Sequence, residues 1–210
     1  MAAYDLEEQE QLAELKAWWK QYGNLVLTAI AAALFAFAIW NGWRWYQRSQ
    51  AGEAAVLYET LQKAARLNDS KAARDAAGTI LEKYSRTAYA PLAALIAAKV
   101  NYQAGDLKNA RAQLHWAVDH ASLEEVRAIA RLRLAAVQMD EGGYAEALKT
   151  LEGKPAAGFE ALYAAARGDI LLAQKKSAEA RAEYKAAYDG STDAGFREML
   201  RLKLDALGES

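Results

Sequence analysis

From Gln21 to Trp43 the chain runs for 23 residues without a formal charge, and its centre, Leu25 to Trp40, is apolar apart from Thr28. No other stretch restricts the fold as strongly. As a helix rising about 1.5 Å per residue, it reaches roughly 35 Å, enough for a hydrocarbon core of about 30 Å. The Leu, Val, Ile and Phe side chains of the centre contribute about −2 to −5 kcal/mol on the insertion scale, and Asn24, Thr28 and Asn41 subtract from this. Trp18, Trp19 and Tyr22 precede the segment, while Trp40, Trp43, Trp45 and Tyr46 follow it. Amphipathic rings favour the headgroup level, so these two belts mark two interfaces. The acidic N-terminal region lacks the basic start and small-residue cleavage site of a secretory signal. The stretch predicts an uncleaved transmembrane anchor over residues 21–46, in contact with membrane lipid, rather than a buried core helix.

Beyond the anchor, about 165 residues remain, enough for one domain with a sizeable core. The net charge of −1 gives no sign of a nucleic-acid surface. The absence of cysteine excludes disulfides, thiolate metal sites and thiol nucleophiles. Alanine occurs 50 times and proline twice, so the chain is expected to be all-α with closely approaching helices. Residues 1–20 carry Asp5, Glu7, Glu8, Glu10 and Glu14, and place Leu12, Leu15, Trp19 and Tyr22 on one helical face. They predict a short amphipathic helix at the membrane surface, with a frayed tail as the alternative.

A repeat follows the anchor. Gly105-Asp106-Leu107, Gly142-Gly143-Tyr144 and Lys175-Lys176-Ser177 each separate two helical segments. Ala110, Ala147 and Ala180 stand three residues after these triplets, Leu114, Leu151 and Tyr184 four further on, and Ala98, Ala135 and Gly168 seven before. A weaker first unit places Asn68-Asp69-Ser70 at a turn and Ala73 at the alanine position. Two antiparallel helices joined by a tight turn need a small residue where their backbones cross, and stacking of successive pairs supplies the core. The pattern resembles the tetratricopeptide repeat, without most of its position-4 aromatics and position-32 prolines; an unrelated alanine-rich bundle is the alternative. Asp193 to Leu207 predict one more helix, with Phe196, Leu200 and Leu207 inward and Arg197, Glu198, Arg201 and Lys203 on a polar outer face.

Catalytic chemistry finds little to use. His115 and His120 lie five apart on one predicted helix, whereas a helical metal pair wants i, i+4. Glu124-Glu125 reads as a helix start, Arg167-Gly168-Asp169 as helix packing around a small residue, and Gly142-Gly143 as a turn. No cofactor, metal or enzymatic activity is expected. In the anchor, Ala29, Ala32, Ala33 and Ala36 have the small-xxx-small spacing that admits a partner helix, although alanine is abundant throughout. In tetratricopeptide arrays the first helix of each pair lines a groove. The corresponding positions are Leu92, Leu95, Lys99 and Tyr102, then Ile129, Leu132 and Met139, then Leu162 and Leu172, with Ala165 and Asp169 between. This lining suits an apolar peptide or helix if open, and is core if neighbouring helices cover it.

LAELKAWWKQYGN (Leu12–Asn24), NGWRWYQRSQ (Asn41–Gln50), LRLAAVQ (Leu132–Gln138) and GFEALYAAARGDILLAQ (Gly158–Gln174) together resemble the ancillary subunit of the bacterial Sec translocon. That resemblance implies a single-pass inner-membrane protein: a cytoplasmic tail over residues 1–20, the anchor over 21–46, and a tetratricopeptide-like α-solenoid in the periplasm over 47–210. It also implies contact with the Sec translocon channel, with a membrane-anchored periplasmic chaperone of the peptidyl-prolyl isomerase-like kind, and with secreted client proteins. Charge does not fix the topology. Lys16 and Lys20 face Arg44, Arg48 and Lys63 across the anchor, a slight lean toward a cytoplasmic C-terminal domain. A membrane-anchored scaffold for another envelope assembly remains the alternative function.

Overall fold

The computed structural model describes residues 2–208, with side-chain surroundings from Glu10 onward. Asp5, Glu7 and Glu8 of the expected amphipathic tail lie outside the described side chains, and Ser210 lies outside the described residues. Among the described residues the chain forms nine helices and no strand: α1 Ala2–Arg66, α2 Ser70–Lys83, α3 Tyr89–Gln103, α4 Leu107–His120, α5 Glu124–Asp140, α6 Tyr144–Thr150, α7 Glu160–Ala173, α8 Ser177–Gly190 and α9 Ala194–Ala206. Backbone packing divides it into two units, Met1–Ser49 and Gln50–Ser210.

The first unit is a stretch of α1 whose apolar side chains face outward on every side. Leu34, Phe35, Phe37 and Ile39 point in different directions around the helix and all are exposed, Phe35 to 70%. A core helix buries such residues, whereas a helix apolar all round suits hydrocarbon, and this one is long and apolar enough to cross a membrane. The Thr28 hydroxyl donates to the Asn24 carbonyl at 2.7 Å, so the segment's one central polar group is satisfied within the helix. At the belts, Trp18 meets Tyr22 with ring centroids 5.7 Å apart, and Trp43 meets Tyr46 at 6.1 Å.

The second unit is a run of helical hairpins with one turn used four times. Asn68, Gly105, Gly142 and Lys175 all adopt positive φ, between 57° and 79°. At each turn the next amide donates five residues back: Asp69 to Ala64, Asp106 to Asn101, Gly143 to Gln138 and Lys176 to Leu171, at 2.8–2.9 Å. The left-handed residue itself donates three back, which completes a Schellman cap on the outgoing helix. The same turn starts the following helix. Asp69 and Asp106 accept the amides of Ala72 and Asn109 through their carboxylates, at 3.0 and 3.1 Å. Those bonds from Asn109, side chain first and then backbone, hold the Asp106 carboxyl below its ordinary value.

Packing follows the expected register. Ala73, Ala110, Ala147 and Ala180 are all completely buried, as are Leu151 and Tyr184, with Leu114 nearly so. Ala98, Ala135 and Gly168 are buried opposite them. The third unit shows why its small residue is glycine. Tyr184 replaces the leucine of the earlier units, and a Cβ on Gly168 would lie 2.6 Å from its ring. The neighbours of Gly168 complete the contact. Arg167 donates two bonds to the Glu183 carboxylate at 3.0 and 2.8 Å, and the Tyr184 hydroxyl donates to Asp169 at 2.6 Å. Helix packing thus occupies the whole Arg-Gly-Asp tripeptide.

The closing helix α9 is capped by Asp193, whose carboxylate accepts the Phe196 amide at 2.6 Å. Leu200 is completely buried, and Phe196 and Leu207 pack half-buried around the same cluster. One residue departs from expectation. Lys203, assigned above to the polar outer face, turns inward to pair with Asp169 and lies over the Tyr184 ring at 5.2 Å. A half-buried carboxylate and an electron-rich ring attract the ammonium more strongly than water on the outside does.

Two substitutions test this packing. Gly168→Ala is expected to destabilise the protein by about 1–3 kcal/mol, because the Tyr184 ring must shift to admit a methyl group. Ala145→Leu, exposed beside the next turn, is expected to stay within about 0.5 kcal/mol. Equal effects in urea melts of the full chain in detergent micelles would remove the size-matching argument. At Lys175 the left-handed backbone costs a side-chain-bearing residue about 1–2 kcal/mol, and glycine returns roughly half of the gain as unfolded-state entropy. Lys175→Gly is therefore expected to raise stability by about 0.5–1 kcal/mol in the same melts.

Candidate partner-binding groove

The first helices of successive hairpins, α3, α5 and α7, present the positions expected to line a groove. The structure separates them into three kinds. Leu95, at 6% exposure, and Ala165 are buried in the core clusters and do not line a surface. Leu95 belongs instead to the buried cluster that joins α3, α4 and α5. Leu92 and Ile129 lie half-buried against the cluster between α3, α4 and α5, and Leu132 and Met139 against the next one. Lys99, Tyr102, Leu162 and Leu172 are exposed, Tyr102 to 45%.

The groove is open in one part and closed in another. The Tyr102 hydroxyl donates to Asp140 at 2.6 Å, joining the ends of α3 and α5. That bond, then the carboxylate's charge, raises the hydroxyl's pKa above its ordinary value. Behind this bridge lies a cavity of about 420 Å³, walled by Ala98, Ala136 and Val137 and rimmed by Lys99, Tyr102 and Arg133. In the third unit the equivalent of Lys99 is Asp169, already held by Tyr184 and Lys203. Burial, followed by the bond to Asp169, pushes the Tyr184 hydroxyl far above its ordinary range, so this network stays neutral at the phenol and closed.

A second cavity, of about 380 Å³, adjoins Lys99 from the other side, between the last turns of α1 and helix α3. Gln62, Arg66, Asn68 and Gln103 line it. The α1 residues and Arg133 are not among the groove positions expected from the sequence, which are counted only on α3, α5 and α7 and only at the repeat's groove-lining positions. The signal was there: Asn68 stands 37 residues before Gly105, which makes the end of α1 the first helix of a hairpin.

The opposite side is not bare. Arg111, Arg131 and Lys149 border a cleft of about 810 Å³ over α4, α5 and α6, and Arg111 pairs with Glu141 at 3.4 Å. Of the two histidines, His115 lines that cleft, while His120 stacks on Trp116 at 4.2 Å and donates its Nδ1 proton to the Trp116 carbonyl. In the first unit, Ala29, Ala32, Ala33 and Ala36 are exposed along one strip of α1.

Comparison with known proteins agrees with this architecture. Residues 16–209 match the family model described as a tetratricopeptide repeat-like domain. A Haemophilus influenzae protein named ancillary SecYEG translocon subunit is 30% identical, over 98% of this chain and all of its own. Its namesake from Neisseria gonorrhoeae is also 30% identical, over 99% and 100%. The Escherichia coli K12 protein of that name is 26% identical over 95% of this chain and 96% of its own. With the helical repeats and the family match coinciding over nearly its whole length, the chain belongs to the tetratricopeptide repeat-like family of ancillary SecYEG translocon subunits.

Proposed function

We propose that this chain is a non-enzymatic accessory subunit of the Sec translocon, linking the channel to periplasmic chaperones through its helical repeats. Residues 21–46 span the inner membrane among its lipids, residues 1–20 lie in the cytoplasm, and residues 47–210 in the periplasm. The alanine strip at Ala29, Ala32, Ala33 and Ala36 meets a helix of the channel, where small side chains let backbones approach. The groove bearing Leu92, Lys99, Tyr102, Ile129, Leu132, Met139, Leu162 and Leu172 contacts secreted clients or a membrane-anchored chaperone of the peptidyl-prolyl isomerase-like kind. The observation that carries the reading is the end-to-end match to relatives bearing the translocon name, on a chain whose first unit is an exposed apolar helix. Half-buried apolar side chains gain roughly 25 cal/mol per Å² when a partner covers them, and the cost of association leaves weak, exchangeable binding, as a transfer role requires.

Two experiments test it. A periplasm-active reporter fused after Ser210 is expected to be active and a cytoplasm-only reporter silent; the reverse pattern removes the chaperone link. Photo-crosslinkers at Tyr102 and Met139 in intact membranes are expected to trap partner proteins. The same probes at Lys71 and Glu82, exposed on α2, are expected to trap far fewer. Equal trapping from both faces rules the groove out as the contact site.

A further inference from the structure

Three cations border the open part of the groove, one from each of three successive first helices: Arg66 on α1, Lys99 on α3 and Arg133 on α5. Among the described residues none of them forms an ion pair, whereas Arg111, Arg127, Arg167, Arg201, Lys176 and Lys203 all do. No Asp or Glu lines either cavity. Asp140, which touches the Tyr102 rim, accepts that residue's hydroxyl. Arg133 reaches across toward α3, its Nη1 3.4 Å from the Leu95 carbonyl, and lines the apolar cavity together with Lys99. Asn68 and Gln103 add amide groups beside Arg66 and Lys99, and Gln62 adds its NH2 group, its Oε1 accepting from Arg66 at 3.3 Å. Side-chain amides both donate and accept, which suits the main chain of an extended peptide.

The geometry points to an acidic, extended segment of a partner polypeptide as the occupant, carrying one apolar side chain between two carboxylates. This rests on the reading of the groove as a contact site for partner proteins and specifies what such a site selects. The apolar side chain fills the cavity of about 420 Å³, and its flanking acids meet Lys99 on one side and Arg133 on the other. The spacing is feasible. Neighbouring helix axes lie about 8–10 Å apart. In an extended chain, side chains on one face recur every second residue at about 3.3 Å per residue, so acids at i and i+4 stand roughly 13 Å apart. Both stems are long and exposed, and Arg133 covers the difference by swinging outward from its contact with the Leu95 carbonyl. The peptide's main chain continues over Gln103, Gln62 and Asn68 toward Arg66. Carboxylates meeting three unpaired cations contribute charge-assisted bonds and a salt-dependent encounter rate.

The test is fluorescence anisotropy with the full-length protein in uncharged detergent micelles. The probe is a labelled peptide with both ends capped and a Glu-Ser-Leu-Ser-Glu core. Saturable binding is expected, weakening at least about tenfold when both Glu become Gln, when Leu becomes Gly, or when Lys99→Gln and Arg133→Gln are combined. Both substituted residues are exposed, and unchanged helicity confirms that the variant is folded. Equal binding of the Gln and Glu peptides overturns the inference while leaving an apolar contact groove intact. Binding only of a peptide with a free C-terminus overturns it in favour of a terminal carboxylate. No binding of any peptide overturns it as well; the crosslinking at Tyr102 and Met139 then decides separately whether the groove contacts proteins at all.

Discussion

Backbones in the repeat domain approach closely only where one side of the contact is nearly without a side chain. Ala98, Ala135 and Gly168 supply that side, and Leu114, Leu151 and Tyr184 fill the space opposite. The pairing is one of complementary size: where the large partner grows from leucine to tyrosine, the small one shrinks from alanine to glycine. Interiors are packed at crystal-like density, so neither partner changes alone without a cavity or a clash. The register of each hairpin, and therefore which residues its first helix turns toward the groove, depends on this contact.

The same contact explains why the groove differs along its length. In the third unit the large residue is a phenol, and its hydroxyl needs a partner when buried. Asp169 supplies it, and Lys203 from α9 then compensates the carboxylate. The position that carries a free cation in the first unit is thereby built into the fold. In the first two units the partners are leucines, which make no such demand. Lys99 and Arg133 stay at the surface there, beside an apolar hollow.

Much of this was legible in the residues. The long exposed apolar helix followed from an uncharged stretch of membrane length between aromatic belts. The hairpins followed from turns and alanines recurring at intervals of 37 and 33 residues. What periodicity does not convey is which side of a helix its neighbours cover. Leu95 and Lys99 lie one turn apart on α3, yet Leu95 packs into the cluster shared by α3, α4 and α5 while Lys99 is exposed. Lys203 was misplaced for a related reason. A cation on a terminal helix looks solvated unless the half-buried acid awaiting it, 34 residues earlier, is known. The turn at Asn68 marked the last turns of α1 as part of a first, weaker hairpin, but the repeat pattern there is too faint to show that Gln62 and Arg66 border a cavity beside α3.

The inward turn of Lys203 also bears on what α9 does for the end of the domain. Only α9 brings the cation, so the α7–α8 hairpin lacks it whenever α9 is undocked. In that state Asp169 has Tyr184 but no cation, and the apolar seat for Phe196, Leu200 and Leu204 is open to water. Repeat arrays stay soluble only once a terminal helix shields the final hairpin. With α9 undocked, the hairpin displays an apolar surface beside an uncompensated acid, the kind of exposed surface that makes a partly folded chain prone to aggregate.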